Sequence, residues 1–273
     1  MKKITLAIAM AMLSGLLASC GKQSKPAASS EQVSTTHEIQ IVPAPKRTYP
    51  AATLKIIAPR EGEVLKNSRD SVRIVMLATG MNLGVPTDSD TALGIAYAKQ
   101  GQNIHVIVDS NPYRSDFQNG QPFNVGILSP GMHVIRAFPS FSWQEGVKSP
   151  AAFATRTFYV GSAPAANIAP ANNLNNLDGP LLIYSSPKGT YPTNESAKVL
   201  LDFYISNAKL GPDGYRVKLW IDSVAMPDIV VWQPYYIEGL SKGKHTITLQ
   251  LVSPNGRVVP GSFNSPSQEI TIE

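Results

Sequence analysis

Cysteine is almost absent from this sequence of 273 residues: only Cys20 is present. No disulfide can therefore form within the chain, and a thiolate metal site is excluded once Cys20 is modified. The motifs His-Glu-x-x-His and Cys-x-x-Cys are also missing, which removes the sequence signals of zinc proteases and dithiol redox proteins. Gly239-Leu-Ser-Lys-Gly243 has the spacing Gly-x-Ser-x-Gly, but it leads into a strand and is predicted to be a hairpin turn, whereas the hydrolase motif leads from a strand into a helix. We predict a protein that is not an enzyme, needs no cofactor and holds no resident metal.

A strong charge of one sign is lacking as well. The formal charge is +5, and it falls to +3 without Lys2 and Lys3. Several of the remaining cations lie near the N-terminus, where they can face anionic lipid head groups; they are Lys22, Lys25, Lys46 and Arg47. We therefore predict no nucleic-acid partner.

Long apolar runs are missing too, apart from one short stretch at the N-terminus. Lys2 and Lys3 precede an apolar run from Ile4 to Leu17, which is shorter than the roughly 20 residues that a spanning helix needs. This order of charges, apolar residues and small residues is typical of a secretory signal. The run ends in Leu17-Ala18-Ser19-Cys20, which resembles the lipobox of bacterial lipoproteins.

The lipobox resemblance implies that residues 1–19 are a signal peptide and that cleavage precedes Cys20. It also implies that the Cys20 sulfur carries a diacylglyceryl group and that its new amine carries an acyl chain such as palmitate. Several acyl chains hold a protein firmly on a membrane. Gly21, rather than Asp, follows the cysteine; by the same resemblance this favours the outer membrane, facing the periplasm or the cell surface. The alternative is an ordinary signal peptide with an unmodified cysteine.

Residues 20–50 are predicted to be a lipidated, disordered tether, because residues 21–50 are rich in Ser, Ala, Lys, Pro and Thr without apolar periodicity. About 30 flexible residues reach on the order of 30 Å. Such a tether would hold a folded body away from the lipid surface.

Short apolar or alternating runs separated by turn residues follow, and this pattern is typical of β-sandwiches. The runs divide into a first sandwich at residues 51–161, a linker at 162–179 and a second sandwich at 180–273. The predicted strands of the first half are Leu54–Ile57, Val72–Leu77, Ile104–Val108, His133–Ala137 and Phe153–Val160.

The two halves repeat each other, which indicates an internal duplication. Val72 to Gly84 matches Val199 to Gly211 at a constant offset of 127 residues. An Asp at the end of a strand and a His after Leu-x-x-Gly-x are spaced by 24 residues in the first half and by 23 in the second. Only the first copy carries the extra segment Val85–Ala98.

A Pro-x-x-Gly opening, a strand that ends in Asp and a Leu-x-x-Gly-x-His entry into an alternating strand resemble the immunoglobulin and fibronectin-III-like modules of bacterial envelope proteins. The resemblance implies an all-β fold of two tandem antiparallel sandwiches from about Leu54 to Glu273. It also implies a role in binding, spacing or presenting a partner.

The histidines admit two interpretations. His133 and His245 start strands on the core side, where a histidine can bond a neighbouring turn while its ring packs. A periplasmic copper or other metal site is the alternative, built from His105, His133 and the methionines Met76, Met81 and Met132. Alternation places His105 on the opposite sheet face from His133, which disfavours a shared metal. Asp109 and Asp222 are predicted to form turns.

Aromatic residues supply the candidate binding residues. Trp232, Tyr235 and Tyr236 cluster in the second half, and Trp143 lies in a cluster with two phenylalanines in the first. Exposed on loops, such rings suit sugar stacking or protein hot spots; the alternative, which we favour, is that they close the ends of the sandwiches.

The prediction from sequence is a lipid-anchored, non-enzymatic binding or scaffolding protein of the cell envelope with a protein or polysaccharide partner. The alternatives are a glycan-binding lipoprotein and a metal-binding protein.

Overall fold

The structure is a computed structural model that describes residues 38–87, 95–96, 98–162 and 177–273. The predicted all-β fold is confirmed, because these residues form strands joined by turns and loops, with two single turns of 3-10 helix at Pro150–Ala152 and Thr193–Glu195. No helix in this part of the chain is long and apolar enough to cross a membrane.

The strands are, in chain order, β1 Gln40–Pro43, β2 Thr53–Ala58, β3 Val64–Leu65, β4 Val72–Thr79, β5 Asn103–Val108, β6 Arg114–Asp116, β7 Pro122–Gly126, β8 Gly131–Ser140, β9 Ala154–Val160, β10 Leu181–Ser186, β11 Gly189–Tyr191, β12 Val199–Ser206, β13 Arg216–Ile221, β14 Val224–Ala225, β15 Tyr235–Glu238, β16 Gly243–Val252 and β17 Ser267–Ile272.

The same arrangement of two sheets occurs twice. In the first sandwich, a sheet of order β2-β4-β7 faces a sheet of order β3-β9-β8-β5-β6. In the second, β10-β12-β15 faces β11-β17-β16-β13-β14. Each larger sheet is antiparallel except at its first strand, which pairs in parallel with the last strand of the copy. The repeated topology supports the duplication predicted from the sequence offset.

Alternation along the strands places one apolar face of each sheet in a core. In β16, His245, Ile247, Leu249 and Leu251 are buried on one side, as predicted. In β4, Ile74 and Met76 are fully buried, while the neighbouring Leu77 is 43% exposed. The equivalent strand of the second copy, β12, is buried on both faces. The outer face of the second sandwich is therefore covered at β12, whereas the outer face of the first sandwich is open at Leu77.

Part of that cover is an N-terminal segment, residues 38–50, which we call the strap. Its strand β1 adds to the second sandwich by antiparallel pairing with β15, and the side chains of Ile39 and Ile41 pack against the core of that sandwich. The prediction of a disordered tether over 20–50 is therefore wrong for residues 38–50, because the alternation Ile39-Gln40-Ile41 lets one face of the segment pack on the second sandwich. Residues 20–37 lie outside the described part.

A close approach of backbones fixes the start of the strap. Gly239 has a φ of +84°, and a Cβ on it would lie 2.7 Å from the carbonyl oxygen of Glu38. Glycine is the residue that meets both conditions without strain.

Two other predicted segments are described only in part. Of the linker at 162–179, residues 163–176 lie outside the described residues, and of the inserted segment Val85–Ala98 the structure describes 85–87, 95–96 and 98. Both ends of the insertion attach to one residue: the Thr87 N–H donates to the Ser142 hydroxyl at 2.8 Å, and the Ala98 N–H to the Ser142 carbonyl at 2.6 Å.

The Asp–His pair in each copy is structural, as its preferred interpretation predicted. Asp109 and Asp222 take positive φ values of 57° and 51° directly after their strands. Their carboxylates lie 2.8 and 2.6 Å from Nδ1 of His133 and His245. Each histidine bonds a turn carbonyl through its other nitrogen, at 2.8 Å in both copies. The pair therefore fixes a turn to a strand in both sandwiches.

Candidate functional site

The two sandwiches meet through an aromatic contact between the outer face of β5 and β8 and the outer face of β10 and β12. Tyr204 lies at its centre, with its ring centroid 4.8 Å from that of Phe138 and 4.9 Å from that of Phe153. Its hydroxyl donates to the Ser149 carbonyl at 2.9 Å. By the offset of 127, Tyr204 stands where the first copy has the exposed Leu77. The equivalent outer faces of the two copies thus carry different side chains, an exposed leucine in the first copy and a covered tyrosine in the second.

A buried ion pair joins the sandwiches beside this contact. Lys148, in the β8–β9 hairpin, places Nζ 2.5 Å from a carboxylate oxygen of Asp202 on β12. The Gly146 N–H donates to the second oxygen at 2.9 Å. Burial raises the pKa of Asp202 to about 6, although Lys148 lowers it. The negative charge of the buried Asp202 carboxylate is thus compensated by one ammonium group and one backbone amide.

The strap closes over the same hairpin. The guanidinium of Arg47 lies 3.1 Å from a carboxylate oxygen of Glu145 and 4.6 Å from the ring centre of Trp143. Glu145 also accepts hydrogen bonds from the Tyr49 hydroxyl and the Trp143 indole N–H, both at 2.8 Å. Glu145 is fully buried, so two hydrogen-bond donors and one guanidinium converge on a carboxylate that water does not reach. This cluster fixes the strap to the first sandwich, and the pairing of β1 with β15 fixes it to the second.

The predicted aromatic binding residues are buried or half-buried rather than exposed on loops: Trp143, Tyr236 and Trp232 pack at the junction, and Tyr235 packs in the core of the second sandwich. Trp143, Tyr235 and Tyr236 are 3%, 7% and 5% exposed, and the half-buried Trp232 donates its indole N–H to the Phe203 carbonyl at 3.1 Å. The burial of these rings contradicts the exposed platform, which was the less favoured of the two interpretations. Tyr235 and Tyr236 lie on β15, with which strand β1 of the strap pairs.

His105 is also placed in the junction. It lies on the face away from the core of the first sandwich, as alternation predicted, but it is fully buried there between Tyr113 of the first sandwich and Ser185 of the second. Its Nε2 lies 2.8 Å from the Gln144 side-chain oxygen and its Nδ1 lies 3.3 Å from the Ser185 hydroxyl. Burial lowers its pKa to about 3, so the ring is neutral at physiological pH.

These contacts contradict the metal-binding alternative for His105 and His133. Both nitrogens of each ring have protein partners, and Met76 is fully buried in the core. Among the described residues, no group of three or more His, Cys, Asp or Glu side chains is arranged to hold a metal ion.

A cleft of about 230 Å³ opens to solvent at one side of the junction, and we call it the junction cleft. The loop after β5 forms one wall, and the turn after β10 and the β16–β17 loop form the other. Six of its lining residues carry the argument below: Ser110, Tyr113, Lys188, Ser262, Phe263 and Gln268. The hydroxyls of Ser110 and Ser262 lie 3.1 Å apart across the two sandwiches.

A stack of three side chains borders the junction cleft, and two of them, Tyr113 and Lys188, line it. The ring of Tyr113 lies parallel to that of His105, with centroids 3.8 Å apart. The ammonium of Lys188 lies 3.7 Å from the centre of the Tyr113 ring and 3.5 Å from the Tyr113 carbonyl oxygen. Because His105 is neutral, Lys188 carries the positive charge of the stack.

A second hollow of about 360 Å³ adjoins the same stack, and Tyr113 and Lys188 line it as well. Its polar groups come from Ser115 and Gln144, and Phe117 supplies an apolar wall. In the described part of the chain, no Asp or Glu lines either hollow. The arrangement offers hydroxyl, amide and ammonium groups for binding, with apolar walls between them.

Sequence reasoning missed the junction, although one signal pointed to it. β12 reads Val-Leu-Leu-Asp-Phe-Tyr-Ile-Ser without apolar–polar alternation, which is typical of a strand covered on both faces. Neither the partner of Asp202 nor the place of Lys188 could be read from spacing, because each lies more than 50 residues from the groups that it contacts.

Comparisons with known proteins give only distant structural likeness. No protein-family model matches the chain, and no curated protein matches it. The fibronectin(III)-like modules of CbhA from Clostridium thermocellum are similar at 14% identity, over 81% of this chain and 94% of that one, with a TM-score of 0.27. SGBP-B of the Bacteroides ovatus mixed-linkage glucan utilization locus, solved with a mixed-linkage heptasaccharide, is similar at 12% identity, over 86% and 70%, with a TM-score of 0.23.

Proposed function

We propose that this protein is a lipid-anchored, non-enzymatic binding module of the bacterial cell envelope, with the junction cleft as its binding site. The observation that carries the proposal is the junction itself. Two sandwiches are joined through a buried ion pair and stacked rings, and between them lies an open cleft that is lined by an ammonium group.

The joined sandwiches favour a binding site over a flexible spacer. A spacer needs a linker that lets its domains move, whereas the stacked rings at the junction oppose such motion because separation would expose their apolar surface to water. Fixed domains instead hold groups from both sandwiches at constant distances. A site made from both sandwiches is thereby preorganised, which reduces the entropic cost of binding.

Anchoring rests on the sequence Leu17-Ala18-Ser19-Cys20 and is tested separately. Cells expressing the full chain are fed an alkyne analogue of palmitate, and incorporation is compared between the natural chain and Cys20→Ser. Label and membrane association that depend on Cys20 support the lipoprotein. Equal label in both chains would contradict it.

The binding role is tested by cross-linked capture from native membranes. The natural lipoprotein is compared with Ser110→Trp, which places a large ring in the junction cleft, and with Ser71→Trp, which makes the same change at an exposed position before β4, outside the cleft. Eluates are examined for protein by mass spectrometry and for sugar by composition analysis. A component that Ser110→Trp loses and Ser71→Trp retains supports the proposal, and capture unchanged by Ser110→Trp would refute the assignment of the cleft.

Glycan binding is the form of this role that the cleft favours over a protein partner. The sequence offers four aromatic residues as candidates for polysaccharide binding: Trp232, Tyr235, Tyr236 and Trp143. In the structure these residues are buried in whole or in part. The junction cleft takes their place, because hydroxyl and amide groups with apolar walls suit a polyhydroxylated ring.

A further inference from the structure

We infer that the junction cleft binds an acidic sugar, with the ammonium of Lys188 pairing with a carboxylate or phosphate group of the ligand. This inference rests on the proposed function and assigns the ligand class and the residue that selects it. Three features of the cleft lead to it: a fixed cation, neutral hydrogen-bonding groups and a second hollow.

The cation is held in place without being neutralised. The Tyr113 ring and the Tyr113 carbonyl oxygen fix the Lys188 ammonium, at 3.7 Å from the ring centre and 3.5 Å from the oxygen. In the described part of the chain, no carboxylate lies within 4 Å of Lys188. Contact with an aromatic ring orients an ammonium and leaves its charge available to an anion.

The surroundings of Lys188 favour an incoming anion over water. Lys188 is an exposed residue, but local desolvation lowers the pKa of its ammonium, so the charged form lacks part of the solvation that a fully hydrated lysine has. An anionic group would restore that stabilisation, and charge-assisted hydrogen bonds are stronger than neutral ones. His105 is neutral and therefore does not compete for the anion.

The rest of the cleft suits a hydroxylated ring. Ser110, Ser262 and Gln268 present hydroxyl and amide groups that both donate and accept, and Phe263 is a half-buried apolar wall. An acidic peptide would present carboxylates at several points, whereas the cleft supplies one fixed ammonium among neutral groups. A sugar with one acidic substituent matches this set.

The position of Lys188 also indicates the length of the ligand. Lys188 lines both the junction cleft and the adjoining hollow, so a chain that occupies both passes over the ammonium. An oligosaccharide with an acidic sugar inside the chain fits better than one with the acid at its end.

The test uses the full lipoprotein in nanodiscs and isothermal titration calorimetry. The probes are an oligosaccharide that alternates glucuronic acid with N-acetylglucosamine, a galacturonic acid oligomer, glucose 1-phosphate, the neutral N-acetylglucosamine oligomer and an oligoglutamate peptide. We expect at least one acidic sugar to bind, with an affinity that falls as salt is added. We expect the neutral oligomer to bind at least about tenfold more weakly, because it lacks a charge-assisted bond.

Lys188→Gln tests the named residue, with Lys209→Gln as the matched control. Both residues reach solvent, and neither forms an ion pair in the described part of the chain. Lys188→Gln is expected to lower the affinity for the acidic sugar about tenfold or more, while Lys209→Gln leaves it unchanged.

The inference is overturned if no acidic sugar binds, if the neutral oligomer binds equally well, if only the peptide binds, or if Lys188→Gln has no effect. These results leave the proposed function testable by itself. A component captured from membranes in a manner that Ser110→Trp abolishes would keep the cleft as a binding site while removing the acidic sugar as its ligand.

Discussion

Replacing Lys148 by Met should destabilise the protein only where Asp202 would otherwise be ionised. Met fills a similar volume but removes the ammonium that lies 2.5 Å from the fully buried carboxylate. The pKa of Asp202 is already raised from 3.8 to about 6 by burial. Without Lys148, which lowers it, that pKa must rise further.

The sign and size of the effect follow from proton linkage. A carboxyl group whose pKa is raised by folding binds more protons in the native state, so stability falls as pH rises from 3.8 to the native pKa. In the natural protein this loss ends near pH 6, whereas in Lys148→Met it continues at about 1.4 kcal/mol per pH unit. The variant should therefore match the natural protein at about pH 5 and be about 2 kcal/mol less stable at about pH 7.5.

Urea unfolding followed by tryptophan fluorescence measures this difference. With slopes of about 2–3 kcal/mol per molar urea, the midpoint should shift by roughly 1 M at about pH 7.5 and by little at about pH 5. The double variant Lys148→Met with Asp202→Asn is the control, since it removes both charges and should lose the part of the pH dependence that Asp202 causes. A cost that is equal at both pH values would indicate a packing loss alone and refute the electrostatic reasoning.

Three further predictions concern other parts of the junction and the duplicated turn. Burial lowers the pKa of His105 from 6.5 to about 3, so the free energy of unfolding of the native protein falls as pH drops below 6.5. His105→Asn should reduce this fall by up to about 2–3 kcal/mol over about two pH units below 6.5, as measured by urea titrations. The same dependence of stability on pH in the variant would contradict the burial of a neutral ring. The hydrogen bond to Asp109 raises the pKa of His133 from 6.5, so this bond stabilises the fold below pH 6.5 and the stabilisation is lost as pH rises through the native pKa. Asp109→Asn should lower the pKa of His133 in an NMR titration. An unchanged pKa would refute the pairing of the two side chains. Arg47→Ala should leave both sandwiches folded but expose residues 38–50 to limited proteolysis, because the strap loses its ion pair with Glu145; resistance equal to that of the natural chain would show that β1 holds the strap without it.

Much of the fold could be predicted from sequence because it depends on local alternation. β2, β4, β5, β8 and β9 lie where apolar and polar residues alternate or apolar residues run between turn signals, and their bounds differ from the prediction by at most three residues. The duplication was visible because Asp and His recur at nearly equal spacing, and their side chains make the same bonds in both copies.

The junction could not be predicted because its contacts join residues far apart in the chain. His105 was assigned to the correct face, but nothing in its neighbours indicates that Ser185 would cover it from the second sandwich. The strap was missed because β1 is four residues long and follows a low-complexity stretch. Its strand pairs with β15, nearly 200 residues later.

The aromatic residues show that the same side chains can either stabilise an interface between domains or bind a ligand. Trp143 and Tyr236 have the composition of a binding patch, and in the structure both pack with Leu200 and the strap residue Ala44 in one buried cluster. Large rings stabilise interfaces between domains as effectively as they bind ligands. The exposure of a ring, which sequence does not give, decides between the two roles.

The central claim is that the two sandwiches are fixed to each other and thereby form one binding site. The most direct test is the distance between spin labels on the full chain with Lys66→Cys and Lys209→Cys, one exposed position on each sandwich. Cys20 is the single natural cysteine, so Cys20→Ser in the same chain leaves only the two introduced thiols to react. We predict a single narrow distance distribution that stays the same when ligand is added. A broad distribution would show that the sandwiches move independently, and it would contradict a preformed cleft between them.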